Sequence, residues 1–171
     1  AEDGIRDIGV TGVQTCALPI LDSTVFFTFF TPRWNATVSS ISVSSAASAS
    51  NGITLARLGL YTFDGTTATL VARTASDATI FSTSNTLFTR SFSTTGGYPA
   101  TYTLNAGSRY ALAVILLASN PGSVYTAFNL IPSTLSALSP RMTGLVSGQT
   151  DLPATATSFS TSIVGPWGRF S

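Results

Sequence analysis

The sequence predicts an all-β protein: a single antiparallel β-sandwich, with a jelly-roll-like form as the leading version. Short segments rich in Val, Ile, Phe, Tyr and Thr alternate with clusters of Ser, Thr, Gly and Asn along the chain. Many short strands separated by regular turn signals are typical of sandwiches. No stretch after residue 20 keeps the 3.6-residue apolar period of a helix over several turns.

Nine segments carry the strand pattern. They are residues 24–30, 37–43, 53–63, 69–74, 86–92, 100–104, 109–117, 124–128 and 158–164. Between residues 119 and 158 the pattern weakens, because Pro121, Pro132, Pro140 and Pro153 each remove a backbone donor. That region is therefore predicted to be mostly loop, with short strands at most.

Two glycine-containing turns predict hairpins. Asp64-Gly65 lies between residues 53–63 and 69–74, and Asp-Gly supplies the positive φ that a tight hairpin needs. Asn105-Ala106-Gly107 lies between residues 100–104 and 109–117 in the same way. Each turn is expected to join two antiparallel neighbours.

The two longest candidate strands differ in their side-chain pattern. Alternation in residues 53–63 places Leu58 and Leu60 on one face, which we expect to lie in the core. Residues 109–117 are instead apolar on both faces. This favours a central strand near an interface, with its second face covered by a neighbouring chain or a loop.

Residues 1–20 (AEDGIRDIGVTGVQTCALPI) resemble a translated DNA adapter of the kind used in short-read sequencing libraries. Back-translation matches the two constant parts of the adapter, and Ile8-Gly9 stands where a variable six-base barcode belongs. The segment is therefore interpreted as artefactual and excluded from the fold. The predicted organisation is an adapter-derived segment at 1–20 and one β-sandwich domain at 21–171, and we expect the adapter-derived segment to make few specific contacts.

The remaining charges are sparse and scattered. Without residues 1–20 the chain keeps seven arginines and four aspartates, a formal net charge of +3. Nucleic-acid binding is not predicted, because it needs clustered cations. A membrane span is not predicted either, because the longest apolar run, residues 111–118, is well short of the roughly 20 residues required. Low charge density favours an oligomeric or partner-bound protein.

The domain lacks the usual catalytic side chains. Residues 21–171 contain no His, Cys, Glu or Lys, so the common general bases, the thiol nucleophile and most transition-metal ligands are missing. Ser147, in the stretch GLVSG, has the wrong spacing for a nucleophile elbow. The sequence therefore predicts a protein that is not an enzyme and needs no cofactor or metal.

Aromatic residues remain as the chemical resource for binding. Sugar-binding sandwiches stack exposed Trp and Tyr rings on pyranose rings, and polar neighbours reach the hydroxyl groups. Trp34 beside Arg33, and Tyr98 after Gly96-Gly97, are the candidate ligand-binding residues. The favoured alternative is that Trp34 and Trp167 close the ends of the core, because large aromatic side chains are mostly buried.

Several stretches from residue 38 onward resemble the C-terminal β-sandwich modules of tail and tail-fibre proteins of tailed bacteriophages. The similarity is carried by ARLGLYTFDG (56–65), LVARTASD (70–77), YTLNAGSRYALAVIL (102–116), LSPRMTGLVSGQTDLPA (138–154) and the closing PWGRFS. The resemblance implies a non-enzymatic module on the virion surface, often a homotrimer, that attaches to a host-cell glycan or protein. It implies no particular site residues.

Two rival interpretations stay open. One is a carbohydrate-binding or adhesion module of a secreted bacterial protein, and the other is a phage capsid decoration protein. A shaft domain encoded upstream would favour the fibre, whereas a signal peptide with an enzyme domain would favour the secreted module. Because the adapter-like segment directly precedes Leu21, we expect the natural protein to continue upstream.

Overall fold

Alternating apolar and β-branched residues form antiparallel strands in the computed structural model, which describes residues 17–127 and 138–171. In chain order the strands are β1 (Ala17–Pro19), β2 (Thr24–Phe30), β3 (Ala36–Val38), β4 (Ser40–Ser44), β5 (Asn51–Phe63), β6 (Ala68–Arg73), β7 (Leu87–Ser91), β8 (Tyr102–Leu104), β9 (Tyr110–Asn120), β10 (Ser123–Tyr125), β11 (Thr143–Ser147), β12 (Thr155–Ala156) and β13 (Gly168–Phe170). The predicted all-β, antiparallel class is confirmed. The jelly-roll subtype stays a prediction.

A six-stranded sheet forms the centre of the domain, in the order β11-β2-β9-β5-β6-β12. Strand β9 lies between β2 and β5, with Phe27 opposite Ala113 and Leu58 opposite Val114. The prediction that residues 109–117 form a central strand is confirmed. Long β-branched and aromatic strands suit this position because they pack on both faces of a pleated sheet.

A second layer covers the inner face of the central sheet. It consists of the three-stranded sheet β13-β4-β7 and the pairs β3-β8 and β1-β10. Ile41 and Val43 of β4 meet Leu58 and Leu60 of β5 in this inner core, and all four side chains are fully buried. Leu58 and Leu60 therefore lie in the core, as predicted.

The outer face of the central sheet is also buried, beneath residues 149–160, which we call the outer strap. Its side chains Leu152, Ala156 and Phe159 pack on the odd-numbered residues of β2, β5 and β9. The strap pairs with β6 through β12 at one sheet edge and bridges Leu145 through Ser160 at the other. The second apolar face of β9 is thus covered by a loop of its own chain.

One predicted hairpin is confirmed and the other is wrong. Strands β5 and β6 pair across Asp64-Gly65, and Gly65 has a φ of 109°. Strand β8 instead pairs with β3, whereas β9 pairs with β2 and β5. The turn at Asn105–Gly107 takes the chain from one layer to the other. The sequence cannot distinguish such a turn from a hairpin, because Gly107 permits its φ of 80° in both.

Two other strand predictions need correction. The segment 37–43 divides into β3 and β4, which belong to different sheets. The segment 158–164 contains only the bridge at Ser160, because Phe159 lies across the outer face and not in a continuous ladder. Residue 128, the end of the predicted strand 124–128, lies outside the described residues.

The described part of the adapter-like segment makes specific contacts. Strand β1 pairs with β10, the Ile20 amide donates to the Gly122 carbonyl over 2.9 Å, and the Ile20 side chain is buried in the inner core. The expectation of few contacts is wrong for residues 17–20, and residues 1–16 lie outside the described residues. Strand pairing uses backbone groups that every sequence carries, so these contacts do not bear on where the segment comes from.

Candidate functional site

Trp34 is the most exposed large apolar side chain at one end of the sandwich. It lies in the loop between β2 and β3, and 71% of its surface is accessible to solvent. Asn35 Oδ1 accepts the Ala106 amide over 2.8 Å, and the Pro32 carbonyl accepts the Gly107 amide over 3.1 Å. The interpretation that Trp34 closes the core is therefore wrong: the Asn35 side chain and the Pro32 carbonyl brace the loop, and the indole lies in solvent.

A polar cleft of about 440 Å³ opens at the same end. The ends of β5 and β6 form one wall, and the turn before β9 forms the other. The lining residues are Thr62, Phe63, Asp64, Thr67, Thr69, Tyr102, Asn105, Ser108, Arg109 and Tyr110. Hydroxyl, amide and carboxylate groups beside aromatic rings are the chemistry by which proteins bind sugars. We call this the rim cleft.

The loop of Trp34 and the rim cleft share a structural brace. Asn35, next to Trp34, accepts a hydrogen bond from the Ala106 amide, and the residue before Ala106 is the cleft residue Asn105. The Asn105 amide in turn donates to Tyr110 Oη over 2.9 Å, which links the turn to the first residue of β9. The exposed indole and the cleft therefore belong to the same end of the sandwich.

A smaller cleft of about 290 Å³ lies beside Phe30 and Phe170, and its lining is mainly apolar. Its rim offers few side-chain donors or acceptors, because most of its residues are Phe, Leu, Ala, Pro and Gly. A hydroxyl-rich ligand would lose hydrogen bonds to water there without replacing them. The rim cleft is the better candidate site.

The charged residues of the rim cleft differ in orientation. Asp64 Oδ1 accepts the amides of Thr67 and Thr66 and the Thr66 hydroxyl, and these bonds lower the pKa of Asp64 below its ordinary range. The Arg109 guanidinium instead lies over the Phe63 ring, 5.6 Å from its centroid, and donates to the Arg141 carbonyl. Burial lowers the pKa of Arg109.

Tyr98 lies apart from Trp34. The Arg73 guanidinium carbon is 4.8 Å from the centroid of the Tyr98 ring, so one face of that ring is occupied by a side chain of the same domain. Arg73 is four residues further along β6 than the cleft residue Thr69, a separation of about 13 Å along a strand. The structure places Arg33 and Trp34 in one exposed loop and does not bring Tyr98 to them.

Asp151 of the outer strap joins Arg57 and Arg73, two strand residues on the outer face. Its Oδ2 contacts Nη1 of both arginines, at 3.2 Å for Arg73. Nearby, the Tyr61 hydroxyl donates to the Pro153 carbonyl over 2.8 Å, and burial raises the pKa of Tyr61. These contacts fasten the strap to the sheet, so we interpret them as structural.

The described residues contain no cluster of three or more Asp, Glu, His or Cys side chains that could bind a metal ion. Ser147 is exposed, and its Oγ accepts only a long bond of 3.5 Å from Thr24. No helix in the two described ranges is long and apolar enough to cross a membrane.

Sequence reasoning found the loop of Trp34 but not the rim cleft. Thr62 and Thr69 are ordinary strand residues in the sequence, and Thr67 lies in the turn between their strands. They meet Asn105 and Ser108 because β5 pairs with β9, a pairing that the sequence does not predict. The two Gly-containing turns were the available signal, since both border the cleft.

No protein-family model, no curated protein and no solved structure matches this chain.

Proposed function

We propose that this domain is a non-enzymatic attachment module on the virion surface of a tailed bacteriophage, within a tail fibre or minor tail protein. It binds a glycan of the host-cell surface at the end that carries Trp34 and the rim cleft. The supporting observation is the exposure of Trp34 in a loop that accepts two hydrogen bonds, from the amides of Ala106 and Gly107. An exposed indole face is available to stack on a sugar ring.

The phage assignment rests on the resemblance of residues 38–171 to tail-fibre sandwiches and on the absence of His, Cys, Glu and Lys from residues 21–171. Such modules act as multivalent assemblies, in which several weak sites give strong attachment. A homotrimer suits that role. Its interface must use surfaces other than Tyr110–Leu117, because that stretch is already covered on both faces within one chain.

The same end of the domain also favours a second function, that of a secreted bacterial carbohydrate-binding module. An exposed Trp beside a polar cleft serves both roles equally well. The two functions differ in assembly: a phage module forms a trimer and joins a shaft, whereas a secreted module is a monomer joined to an enzyme or a wall anchor. Light scattering after size exclusion distinguishes trimer from monomer.

The glycan site is tested by replacing Trp34. We expect Trp34→Ala to weaken binding to a printed panel of bacterial surface oligosaccharides by about tenfold or more, because a central aromatic anchor carries much of the binding free energy. Trp167→Ala is the matched control, since Trp167 is the second tryptophan of the chain and is 37% exposed. Unchanged affinity in a folded Trp34→Ala protein would contradict the proposal.

Tryptophan fluorescence gives an independent measurement. The chain has two tryptophans, so a Trp167→Phe variant reports from Trp34 alone. Stacking of a sugar on the indole removes water from one of its faces, and we expect the emission to shift to shorter wavelength on titration with a binding oligosaccharide. An emission spectrum that does not change at saturation would place the ligand elsewhere.

A further inference from the structure

The polar side chains of the rim cleft carry hydroxyl, amide or charged groups, and most of them are hydroxyls. Hydroxyl groups, which can both donate and accept hydrogen bonds, are carried by Thr62, Thr67, Thr69 and Ser108. The phenols of the two lining tyrosines have the same double capacity. A sugar presents rows of hydroxyls with the same double capacity. Such a lining can therefore satisfy a neutral sugar without a charged partner.

The single guanidinium among the described lining residues is directed away from this polar wall. Thr62 and Tyr110 are opposite each other in the sheet, and Tyr110 belongs to the inner core. Arg109 precedes Tyr110, so its side chain leaves the sheet on the other face, where it lies over Phe63 and reaches the Arg141 carbonyl. Arg109 therefore lines the cleft, but its guanidinium is engaged with Phe63 and the Arg141 carbonyl and is not part of the hydroxyl wall.

Asp64 leaves a negative charge at the rim. All three of its hydrogen bonds with described residues go to Oδ1, and Oδ2 has none. The three bonds from Thr66 and Thr67 lower the pKa of the Asp64 carboxyl and so favour its charged form. A free carboxylate oxygen accepts hydrogen bonds from sugar hydroxyls and repels a carboxylate on the ligand.

We propose that the rim cleft binds an uncharged, hydroxyl-rich sugar residue next to Trp34, and that Asp64 makes the cleft select against sugars that bear a carboxylate. This proposal rests on the proposed glycan-binding function and adds its ligand class. Selectivity comes from a repulsive element at the rim together with the hydroxyl wall, because specificity is a difference between two affinities.

The experiment compares matched oligosaccharide pairs that differ only in a C6 hydroxymethyl or a C6 carboxylate. For the wild-type domain we expect the neutral member to bind about tenfold more tightly, a modest ratio because the rim is solvated. Asp64→Asn keeps an Oδ1 acceptor for the turn and removes the charge, so we expect the preference to fall to about twofold. Asp22→Asn is the matched control: Asp22 also caps a backbone amide, that of Ala118, but lies outside the cleft.

A second measurement needs no variant. Raising the ionic strength from low to near-molar salt screens exposed charges, so we expect the wild-type preference for neutral members to shrink. Acidic members that bind as well as their neutral partners, or a preference that neither salt nor Asp64→Asn reduces, would overturn the proposal while leaving glycan binding through Trp34 intact. A panel on which no member binds, or binding that Trp34→Ala does not weaken, would instead overturn the proposed function itself.

Discussion

Asp77 joins a turn to a strand through both of its carboxylate oxygens. Oδ1 accepts the Thr79 hydroxyl and amide, at 2.6 and 2.8 Å, and Oδ2 accepts Arg90 Nε of β7 at 2.5 Å. The bonds from Thr79, followed by the contribution of Arg90, lower the pKa of Asp77 below its ordinary value. One side chain thus shapes its own turn and positions a strand residue.

This arrangement predicts a dependence of stability on pH. Because the pKa of Asp77 is lower in the folded state, the unfolded state takes up the proton first, and the stabilisation present above about pH 4 is lost as the pH falls below it. We expect Asp77→Asn to cost about 0.5–1 kcal/mol at pH 6 and less at pH 2. Urea unfolding at both pH values measures this, and an equal cost at both would contradict it.

Two aromatic residues, Tyr61 and Trp34, show when the sequence can predict the burial of a side chain and when it cannot. Tyr61 is fully buried in the outer core, whereas Trp34 is 71% exposed. The alternation within β5 places Tyr61 on the face opposite Leu58 and Leu60, so the sequence predicts its side of the sheet. Trp34 is in a loop without periodicity, and its exposure depends on which distant turn braces that loop.

At the scale of elements, the outer strap is the feature that makes the central sheet buried on both faces. Phe159 packs edge-on against Phe27 and Phe29, with ring centroids 5.2 and 5.5 Å apart, and Leu152 is buried beside Gly59. Asp151 bridges two arginines that are mostly buried. The strap has only two residues in its own strand, so side-chain packing holds it in place more than a ladder does.

Shortening Leu152 tests the role of the strap. We expect Leu152→Ala to lower the free energy of unfolding by about 2–4 kcal/mol, because it leaves a cavity between the strap and β5. Leu87→Ala is the matched control: Leu87 is 52% exposed, so its replacement should change stability by less than about 0.5 kcal/mol. Equal effects of the two substitutions in urea unfolding would show that the strap does not cover a core.

The apolar pattern of the sequence predicts the long strands better than the short ones. Strands β2, β5, β6, β7 and β9 are long enough to show alternation or continuous apolar runs, and each overlaps a predicted segment. Strands β5, β6 and β9 extend one to three residues beyond the predicted bounds. Strands β1, β12 and β13 have two or three residues each. Such short strands form because a partner edge is available, which is a property of the assembled sheet and not of their own residues.

At the scale of the whole molecule, two apolar cores share one sheet. The inner core lies between the central sheet and the second layer, and the outer core lies under the strap. Both form from pairs distant in the sequence, such as β2 with β9 and β4 with β13. The apolar character of β9 is therefore explained within one chain and needs no partner.

The domain boundary predicted at Leu21 can be tested at this scale. A chain that begins at Leu21 should fold, because most of both cores comes from residues after 20. We expect it to be less stable by about 1–3 kcal/mol, since it loses the buried Ile20 side chain and the pairing of β1 with β10. Circular dichroism and urea unfolding measure the change.

The Ile20→Ala substitution in the full chain isolates the side-chain part of that loss. If residues 1–19 contribute little, this substitution should reproduce most of the difference between the two chains. Failure of the shorter chain to fold would show that the sandwich includes residues before Leu21, and the predicted boundary would be wrong.

The sequence by itself determined the class of the fold, the two faces of β5, the hairpin at Asp64-Gly65 and the scarcity of catalytic side chains. These properties follow from the alternation of side chains along a strand, from the residues at turns and from composition, all of which can be read locally. The tertiary structure alone decided which strands pair, what covers the second face of β9, and which polar residues meet at the rim cleft. Those outcomes depend on contacts between residues far apart in the chain, and a period of two along one strand says nothing about its partner.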